Sequence, residues 1–241
     1  MRLIIIGSNS SGNAYLLQSA TDTMLIDCGV HINKIKMALG WDLRRVAAIV
    51  THSHGDHASS LIYVLNAGIN VYASKETFEV RGLEKHHRAN QIVAGVNYTI
   101  GNFKVRPFNV NHDVPCFGFL IWHYECGLTL FLTDTYYCDY VFPGLNNIVV
   151  EANHDMKIVD NNNTPQFLRD RIIQSHMNLD TCKELLLAND LSKVNNIVLI
   201  HLSDKNSDAI RFKDEIAMIT GKTVWIAEAG MTIDNFNENP F

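Results

Sequence analysis

The 241-residue chain has no CxxC pair, no long apolar run, no charge block and no low-complexity tract. Its five cysteines, Cys28, Cys116, Cys126, Cys138 and Cys182, are odd in number and scattered, so a thiolate zinc finger or CxxC redox site is excluded and idle reduced thiols are the simplest reading. No stretch approaches the roughly 18 apolar residues of a membrane span. Near the N-terminus only Leu3–Ile6 run apolar in a row, too few for a signal-peptide core. A soluble, cytoplasmic protein without membrane contact is expected. Charge is also sparse: 19% of residues are charged and the net charge is −5. That disfavours long, purely electrostatic binding along a nucleic-acid backbone, although a local basic patch can still steer a phosphate. With no Pro- or Ser-rich linker, a single domain over 1–241 is expected.

What is present is a 47% hydrophobic composition arranged as short β-branched runs. Leu3–Ile6, Ala14–Gln18, Met24–Asp27, Val46–Val50, Ile69–Ala73, Tyr98–Ile100 and Phe103–Phe108 read as strands. Ala58–Ala67 and Lys75–Leu83 read as helices, the second with Ser74 as N-cap. The second half predicts a hairpin over Cys116–Leu132 turning near Glu125–Gly127, and strands at Ile148–Val150, Ile197–Ile200 and Val224–Ala227. Helices are expected from Thr164–Pro165, over Asp180–Leu187 and near Asp208–Ile219. Strands followed by helices, occurring twice, predict two packed sheets with helices outside, an α/β sandwich.

The most informative stretch is THSHGDHA at 51–58, which places His52, His54, Asp56 and His57 just beyond an apolar strand. Imidazole and carboxylate suit zinc, manganese or iron, and no thiolate lies within the cluster. Two ions fit better than one, because adjacent Asp56 and His57 do not easily converge on the ion that His52 and His54 share. Further ligand candidates recur where apolar strands end: His112, Asp134 and His201. Glu151, also at a strand end, can fix a histidine tautomer from outside the ligand set.

HxHxDH after an apolar strand, then a separate His, a TD pair and a later His, resembles the metallo-β-lactamase fold superfamily. The resemblance runs from MLIDCG at 24–29 to HLS at 201–203. GSNSSGN at 7–13, HDVPCFGF at 112–119, TDT at 133–135, EANHD at 151–155, SHMN at 175–178 and HLSDKN at 201–206 are similar to its YycJ-type (WalJ) branch. That branch is described as nuclease-like and is related to phosphodiesterases. It departs from the branch pattern at Ser175 and Met177, where Gly and Leu are usual. The resemblance implies an αββα four-layer sandwich of two mixed sheets. It also implies a first metal on His52, His54 and His112, a second on Asp56, His57 and His201, and Asp134 bridging.

The expected activity is metal-dependent hydrolysis of a phosphodiester in nucleic acid or a nucleotide by a metal-bridging hydroxide. The expected cofactor is two divalent ions, zinc first, with Mn²⁺ or Fe²⁺ as alternatives. Asp56 is expected to orient the nucleophile, and His176 or His154 to protonate the leaving alkoxide. Asn178 and Ser203 are candidate substrate contacts. RGLEKHHR at 81–88 is the only dense basic segment, so Arg81, Lys85 and Arg88 are candidate phosphate contacts on a lid. His31 and His123 are expected to be structural. A small cyclic nucleotide, or a thioester or lactone, is the alternative substrate, and a homo-oligomer is compatible with the sequence.

Overall fold

The computed structural model describes residues 1–162 and 165–238. Two seven-stranded sheets face each other. The first contains β1 (Arg2–Asn9), β2 (Gly12–Gln18), β3 (Thr23–Ile26), β4 (Val46–Ile49), β5 (Asn70–Ala73) and β6 (Ala89–Gln91), with helices α1 (Ile32–Ala38), α2 (Gly55–Ala58), α3 (Leu61–Asn66) and α4 (Lys75–Val80) between them. The second contains β7 (Tyr98–Ile100), β8 (Phe103–Val110), β9 (Cys116–His123), β10 (Gly127–Leu132) and β11 (Asn147–Glu151). After α5 (Met156–Asn161), α6 (Gln166–Ser175) and α7 (Leu179–Ala188), the chain adds β12 (Asn196–Ile200), α8 (Ala209–Thr220) and β13 (Thr223–Ile226). The last strand, β14 (Thr232–Ile233), crosses back to pair with β1.

Alternation explains the layering. In β1 and β2, Leu3, Ile5, Tyr15 and Leu17 point into the space between the sheets, against Phe103, Phe119, Phe131 and Val198. Their neighbours Ile6, Ala14 and Leu16 are apolar too and pack outward against Ile35, Leu61 and Phe78. Strands apolar on both faces need cover on both faces. On the second sheet Leu130, Ile148, Ile197 and Leu199 meet Leu179, Leu185, Phe212 and Ile216 of α7 and α8. Helix, sheet, sheet, helix is the result, the αββα sandwich expected above.

Strand direction then decides where chemistry can gather. β3 runs parallel to β4, and β10 runs parallel to β11 and β12. β8 is antiparallel to β9, which is antiparallel to β10, so β8 and β10 share a direction. The residues after β3, β4, β8, β10 and β12 therefore emerge at one rim, where open α/β sheets place their sites.

Several local expectations are corrected. The helix expected over Ala58–Ala67 is two pieces: α2 is the GDHA half of the histidine motif itself, and α3 starts after Ser60. The helix expected to run to Leu83 stops at Val80 with Arg81 as C-cap, while Ser74 caps its start by accepting from the Thr77 amide. Helices α1 and α5 and strands β6 and β14 were not expected, being short and weakly patterned. Thr164 lies outside the described residues, and α6 begins at Gln166 with Pro165 at its N-cap.

Candidate metal centre

At the shared rim, six of the eleven histidines and four carboxylates meet. Donor atoms of His52, His54 and His112 lie within 4.8 Å of one another, as do those of Asp56, His57 and His201, and those of His52, His57 and Asp134. Local backbone builds this. After β4 the chain passes through Thr51 and His52 and winds directly into α2, so one helical turn brings Asp56 and His57 towards His201 while the His57 ring stays 4.3 Å from that of His52. Asp134 and His201, directly past β10 and β12, have φ of 51° and 55°, and Asp27 after β3 has φ of 59°. A left-handed non-glycine residue costs on the order of 1–2 kcal/mol. Three such residues on one rim are held by specific bonds. Asp27 accepts from the Thr51 amide at 2.8 Å, Asp134 from the Thr133 hydroxyl at 2.7 Å, and the His201 amide donates to Ser8 Oγ at 3.0 Å.

Outer partners orient four of the rings. His57 Nδ1 donates to Asp27 Oδ2 at 2.7 Å, and His201 Nδ1 to Glu151 Oε1 at 2.9 Å. The Thr51 hydroxyl gives its single proton to Asp27 at 3.0 Å and so accepts from His52 Nδ1 at 3.0 Å. His112 Nδ1 donates to the Ser175 carbonyl at 3.2 Å. In every case the second ring nitrogen is left facing the cluster. His52 Nε2 and His201 Nε2 are buried without a hydrogen-bond partner among the described residues, and His112 Nε2 faces His54 Nδ1 at 3.3 Å. Buried orphan lone pairs are costly. Converging imidazole and carboxylate donors are the set a divalent cation takes, and outer hydrogen bonds of this kind set ligand tautomers. The residues present fit divalent metal.

Electrostatics divide the cluster. Burial lowers His52 and His112, the first well below the usual histidine value. Burial also opposes charge at His57 and His201, yet Asp134 with Asp27 holds His57 well above the usual value, and Asp134, Asp56 and Glu151 raise His201 to about 10. Burial would raise Asp56 and Asp134, but the neighbouring imidazoles keep both far below the ordinary carboxylate range.

Glu151 also receives His176 Nδ1 at 2.7 Å, the Met177 amide at 3.2 Å and the Thr135 amide at 3.4 Å. With donors on both oxygens, it acts as an anchor for two rings. Ser175 and Met177 work here through their backbone, a carbonyl for His112 and an amide for Glu151, so their departure from the branch pattern leaves these bonds intact.

A cavity of about 150 Å³ opens onto the cluster, lined by Ser10, His54, Asp56, His112, Asp113, Asp134, Arg171, Ser175, His176 and His201. A larger depression of about 460 Å³ between Gln18–Thr23 and Asp42–Arg45 lacks such convergence, and its Arg44 is paired with Asp42 at 2.7 Å.

Other expected site residues lie elsewhere. His154 is fully buried and absent from the cavity lining, and burial lowers it to about 4. Asn178 spends its side-chain oxygen capping α7, accepting from the Thr181 amide at 2.9 Å. Ser203 Oγ accepts from Asn206 at 3.3 Å. Arg81 is tied to the Ser53 carbonyl, so it braces the histidine turn from behind, and Arg88 reaches Asn70 at 3.4 Å. Neither arginine nor Lys85 lines the cavity. His31 caps α1, and His123 is buried against Phe103 and Tyr124.

Residues missed in the sequence are Asp27, Asn13, Asp113 and Arg171. Asn13 Nδ2 lies 3.0 Å from His57 Nε2, and Asp113 Oδ1 lies 3.0 Å from His112 Nε2. The adjacency of Asp113 to His112 was an available signal, as was the position of Asp27 after an apolar strand. Nothing local marks Arg171.

The two facing sheets with their outer helices have the metallo-β-lactamase fold, and the donors gathered at its rim are a set that fits divalent metal. Residues 7–114 match the family model described as the metallo-beta-lactamase superfamily. Within that class the chain resembles the YycJ (WalJ)-type branch. It is 26% identical over 220 residues to the exodeoxyribonuclease WalJ of Streptococcus pneumoniae, covering 84% of this chain and 82% of that one. It is 26% identical over 225 residues to the exodeoxyribonuclease YycJ of Bacillus anthracis, covering 84% and 83%. Among solved structures, the metallo-beta-lactamase fold protein YhfI of Bacillus subtilis superposes with a TM-score of 0.75 at 18% identity, covering 97% of this chain and 99% of that one. Among the described residues no helix is long and apolar enough to cross a membrane.

Proposed function

We propose that the chain, acting as one hydrolase domain, is a two-metal phosphodiesterase of nuclease type. The observation that carries this is the convergence of seven donors in two groups linked through Asp134, with four of the five histidines turned inward by an outer bond. His52, His54 and His112 would hold one ion, Asp56, His57 and His201 the other, and Asp134 would serve both, with zinc the first candidate and manganese or iron alternatives. Bound there, two divalent cations supply Lewis acidity, which lowers the pKa of water and neutralises non-bridging phosphate oxygens.

The protein's own groups supply the rest. Asp27 and Glu151 hold the imidazoles in their ligating tautomers. Asp56, ionised and 24% exposed at the cavity, accepts a hydrogen bond from the attacking water and aims it. Burial opposes charge on His176, but Glu151, which accepts from its Nδ1, outweighs this and raises it above the usual histidine value, which favours a ring that holds a proton. With Nδ1 on Glu151, Nε2 is the nitrogen available to protonate the departing alkoxide. Arg171, the one Lys or Arg side chain on the cavity wall among the described residues, pairs with a phosphate oxygen.

Phosphodiester is favoured over thioester or lactone by this arginine and by the names of the relatives, two exodeoxyribonucleases. Protein purified without chelator should contain two divalent ions and hydrolyse DNA, RNA or bis(p-nitrophenyl) phosphate with added Mn²⁺ or Zn²⁺. Hydrolysis of a thioester or lactone with no phosphodiester turned over, or full activity in His54→Ala or Asp134→Ala, would refute the assignment. A panel of cyclic nucleotides in the same assay separates a small-nucleotide enzyme from a nuclease.

A further inference from the structure

We infer that the outer face of β8 and β9 is a track for an unpaired stretch of DNA strand leading to the metal cavity. This rests on the phosphodiesterase reading and adds a substrate form to it. On this face Lys104 pairs across the ladder with Trp122, and Arg106 with Leu120. Lys104 Nζ sits 4.9 Å over the Trp122 ring. Further along, Arg106, Leu120, Phe108 and Tyr140 line a groove of about 430 Å³, with the Tyr140 ring 5.5 Å from that of Phe108. Tyr140 is 46% exposed and Trp122 37%. Lys104 and Arg106 are exposed and have no ion-pair partner among the described residues. In a chain of net charge −5, two exposed cations beside two partly exposed aromatic rings, one of them already under Lys104, are a local concentration of positive charge and ring surface. Alternating cations and ring faces match a single strand, whose phosphates and unstacked bases alternate in the same way. A duplex hides its base faces and would ask for a broader basic footprint.

The groove is joined to the site along the chain. The strand that carries Lys104, Arg106 and Phe108 delivers His112 two residues past its end, and the segment that carries Tyr140 begins at Asp134. Asn111 Nδ2 reaches Asp139 Oδ2 at 3.4 Å and ties the two segments together. From Lys104 to Val110 the strand covers about 20 Å at roughly 3.4 Å per residue. A cyclic or free mononucleotide in a 150 Å³ cavity cannot reach that far, whereas a strand several nucleotides long can.

Affinity by fluorescence anisotropy on the metal-loaded protein tests this, using cleavage-resistant phosphorothioate thymidine oligomers of three and of twelve nucleotides and a blunt twelve-base-pair duplex. The wild type should bind the longer oligomer at least about tenfold more tightly than the trimer and than the duplex. Tyr140→Ala and Trp122→Ala should each remove about tenfold of that preference, the size of one base stacked on one ring. Arg106→Gln should lower the slope of log affinity against log salt by about 0.7, one single-strand phosphate contact. A preference unchanged in all three folded variants, or a duplex bound as tightly as the single strand, overturns the track. Hydrolysis of bis(p-nitrophenyl) phosphate by the wild type is scored separately. Its absence alongside an intact length preference would sink the phosphodiesterase reading while leaving the track as a binding surface.

Discussion

Gly29 is where one methyl group should do the most damage. A Cβ built there would lie 1.6 Å from the Asp56 carbonyl oxygen, 2.1 Å from its carbon and 2.7 Å from the His57 amide nitrogen. Real Cβ contacts essentially never fall below 3.0 Å, so the two segments must part by at least about 1.4 Å. They cannot part freely, because the Cys28 amide donates to the His57 carbonyl at 2.8 Å, the Ser60 amide to Cys28 at 2.9 Å and the Gly29 amide to Asn13 at 2.9 Å. Overpacking of this kind costs about 1–3 kcal/mol, a loss of roughly 2–12 °C in Tm for a chain of this size. The functional loss should be larger, since Asp56 and His57 move with the backbone and a displacement of about 1 Å costs on the order of 100-fold in rate. Gly29→Ala should lose the ion on the Asp56–His57–His201 side, read as metal content per chain, and at least about 100-fold in phosphodiester hydrolysis. Gly55→Ala, on the same turn with nothing within 4 Å of its Cβ, is the control and should keep both. A Gly29→Ala protein with two ions and wild-type rate would refute the packing argument, as would equal damage from Gly55→Ala.

Asp27→Asn should weaken metal binding about 10–100-fold, because Asp27 fixes His57 directly and His52 through Thr51; competition with a chromophoric chelator measures it, and an unchanged affinity would count against that relay. Metal loading should be asymmetric in pH. His52 and His112 are already neutral at pH 7, so the first ion should bind with little proton release. His57 and His201, raised above the free-histidine value, hold protons until displaced, so the second ion should release protons and bind more tightly as pH rises from 7 towards about 10. By the same sign the metal-free protein gains stability from these two imidazoles below about pH 6.5 and loses it as pH rises through the folded values, so its Tm should fall from pH 7 to 10; calorimetry in buffers of different ionisation enthalpy checks both. Arg171→Gln should raise KM for a phosphodiester about tenfold with kcat little changed, whereas His176→Gln should lower kcat about 100-fold and flatten the alkaline limb of the pH–rate profile.

The histidine motif and the strand-end positions of His112, Asp134 and His201 could be read along the chain because each depends on a short local pattern: an apolar run, then a polar donor where it stops. The same logic pointed to Glu151, where it identified a tautomer anchor. The logic failed for Arg81 and Arg88, whose local density of charge says nothing about direction. Arg81 turns back to the Ser53 carbonyl, and Arg88 lies beside β5. Asn178 and Ser203 sit in motif stretches but are used by their own neighbours, as a helix cap and a turn acceptor.

Alone, the amino-acid order determined the alternation that makes strands apolar on two faces, and hence four layers, together with the identity of most donors. Only the tertiary structure decided which donors share a rim and which nitrogen of each ring looks inward. Those outcomes rest on strand direction and on bonds between residues far apart in the chain, such as Asp27 with His57 and Glu151 with both His176 and His201. It also decided that Arg171, unremarkable in its helix, is the cation at the cavity wall. Local patterns encode which way a side chain alternates, whereas the meeting of two segments is set by the packing of everything between them.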